Sequence, residues 1–209
     1  MNDIDLTKIK NIIFDLGVVL LDVDDNKAFN AFVDLGIQDI MSFRSFFRKH
    51  EIFTKHEEGS ISDQDFINEI KKYTGLTCSG NKIVDAWNKI IVGFPEKKTD
   101  FLIKAKKHFK IFLLSNTDGI HAKEYERLFR EQTGIAFENV FDAIYYSHVI
   151  HTRKPDAAAY KRLLTEQMIR PEETLFFDDL EDNVKAAGLL GIKSVLYKKE
   201  TDFFYIFDI

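Results

Sequence analysis

Cysteine is close to absent from this chain: Cys78, in "LTCSGN", is the only one. A disulfide framework is excluded, and a reducing compartment fits. The surrounding turn-like residues also lack the positive charge that makes a thiolate reactive. Nowhere does an apolar run approach the ~18 residues of a membrane-spanning helix, so no membrane partner is expected. The opening "MNDIDLTKIK" is too polar for a secretory leader, and a cytoplasmic location is the expectation. Positive charge is not in excess: 29 Lys and Arg against 34 Asp and Glu give a net charge of −5. A nucleic-acid partner, which calls for a basic patch, is therefore not expected. Lysines do gather in "EKKTDFLIKAKKHFK", but Phe101, Leu102, Ala105 and Phe109 interrupt them at roughly helical spacing, as on a solvated helix face. Internal repeats and low-complexity linkers are missing too.

Short apolar runs are what the chain does have. "NIIFDL", "KIFLLSN", "DAIYYSH", "TLFFDD" and "KSVLY" are rich in Ile, Val, Phe or Tyr and are separated by helical patterns. That alternation implies an α/β fold with a parallel sheet. Ligands of such sheets sit beyond the carboxyl ends of the strands. Three of the runs end in polar groups, at Asp15, at Ser115 with Asn116, and at Asp178 with Asp179, which places all of them on one edge. Between the first run and the second the patterns are helical. Ala28, Phe29, Phe32 and Val33 recur before Gly36, a C-cap candidate. "SDQDFINEIKKYTG" opens with Ser62 and Asp65 at capping-box spacing and closes at Gly75. "NKIVDAWNKIIVG" reads as a further helix ending near Gly93. Residues 1–22 and 93–209 therefore read as one α/β core, and residues 23–92 as an all-helical insertion over the strand ends. The 20 Phe are scattered at core-like spacings, which points to packing. The tail "DFFYIFDI" is too aromatic to lie loose in water, so it is expected to pack on the core or on a partner.

A strand-terminal Asp often only caps the next helix, but three acids at two strand ends ask for more. Asp15, Asp178 and Asp179 pushed together repel, which raises their pKa values unless a cation neutralises them. Mg²⁺ suits such a site, since it takes one or two carboxylates and keeps several waters. A carboxylate there can also attack phosphorus. "LLSNTDG" presents Ser115 and Asn116 just before a helix, whose N-terminal amides favour phosphate. In "TRKPDAAAY", Pro155 suits the first helical position and biases Lys154 toward extended backbone. An ammonium held there can neutralise both a nucleophile and a transferring phosphoryl group.

The set Asp15, Ser115, Lys154 and Asp178-Asp179 resembles the four motifs of the haloacid dehalogenase-like (HAD) superfamily of phosphohydrolases, over essentially the whole chain. The insertion resembles that superfamily's α-helical cap, on a Rossmann-like parallel sheet core. "FDLGVVLLDVD", "EEGSIS" and "FFDDLEDN" are most similar to the branch containing sugar-1-phosphate phosphatases. The resemblance implies a Mg²⁺-dependent phosphatase of a small phosphorylated metabolite, a sugar phosphate above all, working through an aspartyl-phosphate. It implies that Asp15 is nucleophile and Mg²⁺ ligand, with the Gly17 carbonyl as a second ligand. Asp179 becomes the third ligand, with Asp178 in support. Ser115 and the Asn116 amide hold phosphate, Lys154 bridges phosphate and Asp15, and Asn183 helps hold the metal shell or Lys154.

One departure stands out. The superfamily's phosphatases usually read Asp-x-Asp, the second Asp being the general acid, and this chain has Gly17 there. Either another residue supplies the proton, with Asp22 and Asp24 the nearest candidates, or the leaving group is acidic enough to need little help, as an anomeric hydroxyl is. Two further readings stay open: a metal-independent dehalogenase-type hydrolase, and a phosphate-binding regulatory protein whose catalysis is impaired. The acidic pair at Asp178-Asp179 weighs against the first, and the retained nucleophile and Lys154 against the second. Elsewhere, His148 and His151 are spaced like a metal pair on a helix but lack a nearby third ligand, so they read as hydrogen-bonding residues. Lys55 and His56 lie in "FTKHEEGS", a polar stretch just before a helix of the insertion, for which reaching the site and reading the substrate is the lesser of two readings.

Overall fold

The computed structural model describes residues 5–198 and Phe207. Seven strands are present among them: β1 (Asn11–Phe14), β2 (Asp22–Val23), β3 (Ile91–Gly93), β4 (Lys110–Ser115), β5 (Ala143–Tyr146), β6 (Thr174–Asp178) and β7 (Lys193–Leu196). Ten α-helices accompany them: α1 (Asp25–Asp34), α2 (Ile40–Lys49), α3 (Glu51–Glu57), α4 (Asp63–Thr74), α5 (Gly80–Asn88), α6 (Glu96–Ala105), α7 (Gly119–Thr133), α8 (Ser147–Ile150), α9 (Ala157–Glu166) and α10 (Glu181–Leu189). Five strands form one sheet in the order β5-β4-β1-β6-β7, with every pairing parallel. All five apolar runs read from the sequence are strands of this sheet.

The central strand is buried on both faces because helices cover both. Ile12, Ile13 and Phe14 have no exposed surface, and each such side chain contributes about 1.5–3 kcal/mol on burial. Phe14 stacks on Phe177 of β6, ring centres 5.6 Å apart. On one face the sheet packs with α6 and α7 through Phe101, Leu102, Tyr125 and Phe129. On the other, Phe112, Tyr160 and Leu163 form a second cluster with α9 and α10. Phe207, the one described residue of the aromatic tail, is buried against Phe101, Phe109 and Phe177; the rest of that stretch lies outside the described residues.

Helices α1 to α5 build a separate apolar cluster around Phe32, Phe43, Phe53, Phe66 and Trp87, which Ile120 of α7 joins from the sheet side. Helix α4 carries the expected capping box between Ser62 and Asp65 and ends on Gly75 at φ +72°. Helix α1 ends a residue earlier than expected: Leu35 is its C-cap, with Gly36 following at φ +117°. Two expectations need correction. The helix expected to run to Gly93 stops at Asn88, and the insertion is not all-helical. Its β-branched Ile91 and Val92 belong to β3, which pairs antiparallel with β2. Asp24 N–H adds a bond to the Ile90 carbonyl at 2.8 Å. The two crossings into and out of the helical segment thus run side by side as a ribbon.

The lysine-rich helix is also not solvated throughout. Lys98 of α6 is buried, donating to the Val18 carbonyl at 2.9 Å and to the Asp22 carboxylate at 3.2 Å. Val18 has φ +64°, a conformation that strains a β-branched residue by about 1–3 kcal/mol and persists only where its surroundings enforce it. Lys98 is part of that enforcement, beside the first strand's end. Among the described residues no helix is long and apolar enough to cross a membrane.

Candidate active site

Parallel register brings the strand ends together. Phe14 lies opposite both Leu113 and Phe177, so the next residue, Asp15, emerges beside Asp178. Its N–H is tied to the Phe177 carbonyl at 2.9 Å. Lys154, 1% exposed, joins the two acids: its Nζ lies 2.5 Å from Asp15 Oδ1 and 2.7 Å from Asp178 Oδ2. Burial alone would lower the Lys154 pKa, but the charges of Asp15 and Asp178 outweigh it and raise the value. Lys154 is therefore a fixed cation. Burial pushes the Asp15 carboxyl up to about 7, with Lys154 opposing and Asp178 adding to the rise.

Each member is held by others. Asp178, fully buried, accepts from Asn183 Nδ2 and from Leu180 N–H at Oδ1, both at 2.9 Å. Asn183 thus acts on Asp178, and through it on Lys154. Asn116 reaches across from β4: its carboxamide accepts from Lys154 N–H at 2.9 Å and donates to the Lys154 carbonyl at 2.8 Å. That paired grip orients Lys154, a role the sequence did not disclose for the Asn116 side chain. Ser115, the last residue of β4, is buried at the same edge.

Two of the amides at the start of α7 are already occupied by a side chain. Asp118 caps the helix, its Oδ1 accepting from the N–H groups of Ile120 and His121 at 2.9 Å each. Its Oδ2 accepts from Trp87 Nε1 at 3.1 Å and lies 3.0 Å from His121 Nδ1. His121 Nε2 faces the Trp87 carbonyl at 3.2 Å. Both imidazole nitrogens meet acceptors, so the ring is a doubly protonated donor. Burial opposes that charge, yet the Asp118 carboxylate raises the His121 pKa. Burial also opposes ionisation of Asp118, but His121 and the hydrogen bonds hold it far below the usual carboxylate range.

A cavity of about 220 Å³ opens from the strand ends toward the helical segment. Gly17, Ser115 and Asn116 line it at one side, with Glu57, Trp87, His121 and others beyond. Neither Asp22 nor Asp24 does: Asp22 pairs with Lys98, and Asp24 caps α1 through Asn26 N–H at 2.9 Å. Lys55 points to Glu51 at 2.7 Å, and His56 is buried, donating to Asp63 at 3.0 Å. It is their neighbour Glu57 that reaches the cavity. His148 and His151 do not form a metal pair, since each donates to a backbone carbonyl, of Thr117 and of Glu58, at 2.9 Å. Cys78 is half-buried against the helical cluster. The signal for Asp118 was present in "SNTDG", an N-cap residue before a helix. Its bond to Trp87 was not, because it depends on packing.

Among the described residues no three His, Cys, Asp or Glu side chains form a ready metal cluster. Mg²⁺ does not need one, as one or two carboxylates, a carbonyl and waters suffice. The donor chemistry fits. Asp179 is half-buried, and burial followed by the Asp178 charge raises its pKa. Asp15, Asp178 and Asp179 face a single lysine, an excess of negative charge that a hard cation relieves.

Comparison with known proteins agrees with this geometry. The sequence model of the haloacid dehalogenase-like hydrolase family matches residues 69–197. D-ribitol-5-phosphate phosphatase of Bacteroides thetaiotaomicron is 27% identical over 186 residues, which span 89% of this chain and 90% of that protein. A HAD family enzyme of the same species, crystallised with magnesium and inorganic phosphate, superposes at TM-score 0.86 with 32% identity, over 95% of this chain and 99% of that one. A HAD-like family hydrolase from Porphyromonas gingivalis superposes at TM-score 0.86 with 26% identity, over 95% and 96% of the two chains. A central strand that ends at Asp15, a lysine clamped between two acids and a family match over most of the chain lead to one assignment: this protein belongs to the haloacid dehalogenase-like hydrolase family.

Proposed function

We propose that the protein is a Mg²⁺-dependent phosphatase of a small phosphorylated metabolite, a sugar or polyol phosphate, and that it works through a phosphorylated Asp15. The observation that carries this reading is Lys154 Nζ, buried and bonded to both Asp15 and Asp178 at 2.5 and 2.7 Å. Asp15 is the nucleophile: its carboxylate forms the bond to phosphorus. Lys154 stabilises charge on the phosphoryl oxygens and on Asp15 without moving a proton. The Ser115 hydroxyl and the Asn116 amide hold the phosphoryl group. Mg²⁺ would be held by Asp15, the Gly17 carbonyl and Asp179, with Asp178 in support through Lys154, and it supplies positive charge against the acids and the phosphoryl oxygens. Residues 23–92 act as a cap over residues 1–22 and 93–209, supported by their separate apolar cluster.

The cavity, at about 220 Å³, lies below the ~300–1,000 Å³ of drug-sized sites, which favours a small metabolite over a nucleotide. The relative that acts on D-ribitol 5-phosphate supports a polyol or sugar phosphate. The test is phosphate release from a panel of phosphorylated sugars and polyols, with Mg²⁺ or with chelator. Activity is expected only with Mg²⁺, and Asp15→Asn should lose it while still folding, because nucleophile and ligand go together. Undiminished turnover in chelator or in Asp15→Asn would refute the mechanism.

A further inference from the structure

Gly17 leaves open which group protonates the leaving oxygen, an alkoxide of high basicity if the substrate is a polyol phosphate. The cavity that Gly17 lines contains four titratable side chains: Glu57, Asp118, His121 and Tyr125. Asp118 is committed to four donors and held ionised. Both nitrogens of His121 are directed at Asp118 and the Trp87 carbonyl, away from any ligand. Burial raises the Tyr125 hydroxyl far above its already high value, too weak an acid for neutral pH. Glu57 remains.

Its placement is fixed from several sides. The Glu57 carbonyl accepts from Ser147 Oγ at 2.6 Å, and the same hydroxyl accepts from Thr117 N–H at 2.9 Å, next to Ser115 and Asn116. Two residues on, Gly59 packs so closely that a Cβ would come within 2.2 Å of the His148 carbonyl. Arg153, adjacent to Lys154, holds Glu57 Oε2 through Nη2 at 2.9 Å, which leaves Oε1 to carry a proton. Burial raises the Glu57 pKa, Arg153 opposes, Asp118 adds to the rise, and His121 and Glu58 exert smaller opposite effects. A raised carboxyl is the form a general acid needs.

We propose that Glu57 is the general acid that stands in for the residue missing at Gly17, an assignment that rests on the phosphatase reading above. As the Asp15 carboxylate bonds to phosphorus, the bond from phosphorus to the substrate oxygen breaks. That oxygen takes the Oε1 proton of Glu57 and leaves as an alcohol. Water then attacks phosphorus and gives a proton back to Glu57, while the bond between phosphorus and Asp15 breaks. Orthophosphate departs, and both carboxyl groups return to their starting states.

A leaving-group series from nitrophenyl phosphate to a simple alkyl phosphate, run with Mg²⁺ on wild type, Glu57→Gln and Arg153→Gln, tests this. Glu57→Gln should lose about 10²–10⁴-fold on the alkyl ester and far less on the aryl ester, so its dependence on leaving-group pKa steepens. Arg153→Gln removes the same hydrogen bond to Oε2 but keeps the acid, so its alkyl-to-aryl ratio should stay near that of wild type. In the Glu57→Gln background, Gly17→Asp should restore alkyl turnover, since a Cβ at Gly17 meets no atom within 4 Å. An equal loss across the series in Glu57→Gln, or the same change of ratio in Arg153→Gln, would overturn the assignment. Wild type inert toward every ester would remove the phosphatase reading, and this assignment with it.

Discussion

At the scale of single residues, Lys154 decides most. It is a cation in a slot defined by Asp15, Asp178 and the ring of Phe176, 5.4 Å from Nζ. A compact ammonium fits between two carboxylates where a planar guanidinium does not. Lys154→Arg keeps the charge but should reduce kcat by more than about 100-fold, on the magnitude of a lost electrostatic donor; rates near wild type would mean the clamp is not part of the chemistry. The sequence announced Asp15, Lys154 and Asp178 because each stands at a strand end or before Pro155. It did not announce Asn116 as the clasp on Lys154, since carboxamide-to-backbone pairs leave no spacing signature. Glu57 was overlooked for its neighbours because which side of α3 faces the cavity depends on how the helix docks.

At the scale of elements, two joints are exposed to test. The turn after α3 lies against α8, with Gly59 at φ +65° and no room for a side chain beside His148. Gly59→Ala should cost more than about 1 kcal/mol from the backbone conformation alone, about 2–4 °C of Tm per kcal/mol for a chain of this size, and should lower turnover by displacing Glu57. An unchanged Tm and rate would mean the turn adapts freely. The second joint is the Asp118–His121 pair, which ties α7 to Trp87 of α5. His121 has a raised folded-state pKa, so its contribution is full below the unfolded value of about 6.5 and is lost as pH rises through the folded value. Asp118 is depressed, so its contribution is lost only as pH falls toward its folded value. The Tm gap between wild type and His121→Gln should therefore be widest in mildly acidic buffer and narrow as pH climbs. A gap that widens with pH would contradict a charged His121.

At the scale of the whole molecule, three acids around one lysine leave a net negative site inside an already acidic protein. A ligand that binds only the folded state stabilises it, by about 2.7 kcal/mol at a hundredfold excess over Kd. Mg²⁺ should raise Tm in wild type, and Asp179→Asn should remove most of that rise; an equal shift in both would place the ion elsewhere. The sequence by itself determined the five sheet strands, because each is a short apolar run whose period and length are local properties. It also determined that acids and a serine stand at one edge, because parallel strands share a direction; Lys154, between two helices, joined them only through the resemblance. What only the tertiary structure decided lies between segments. The ribbon of β2 with β3 overrode a helical pattern, since the pairing of Ile91 and Gly93 comes from a partner strand far away in the chain. Lys98, Asp118, Trp87 and Glu57 acquire their roles through contacts with residues remote in sequence, and burial, which acts on the titration of Asp118 and Glu57, is a property of the folded packing rather than of any local stretch.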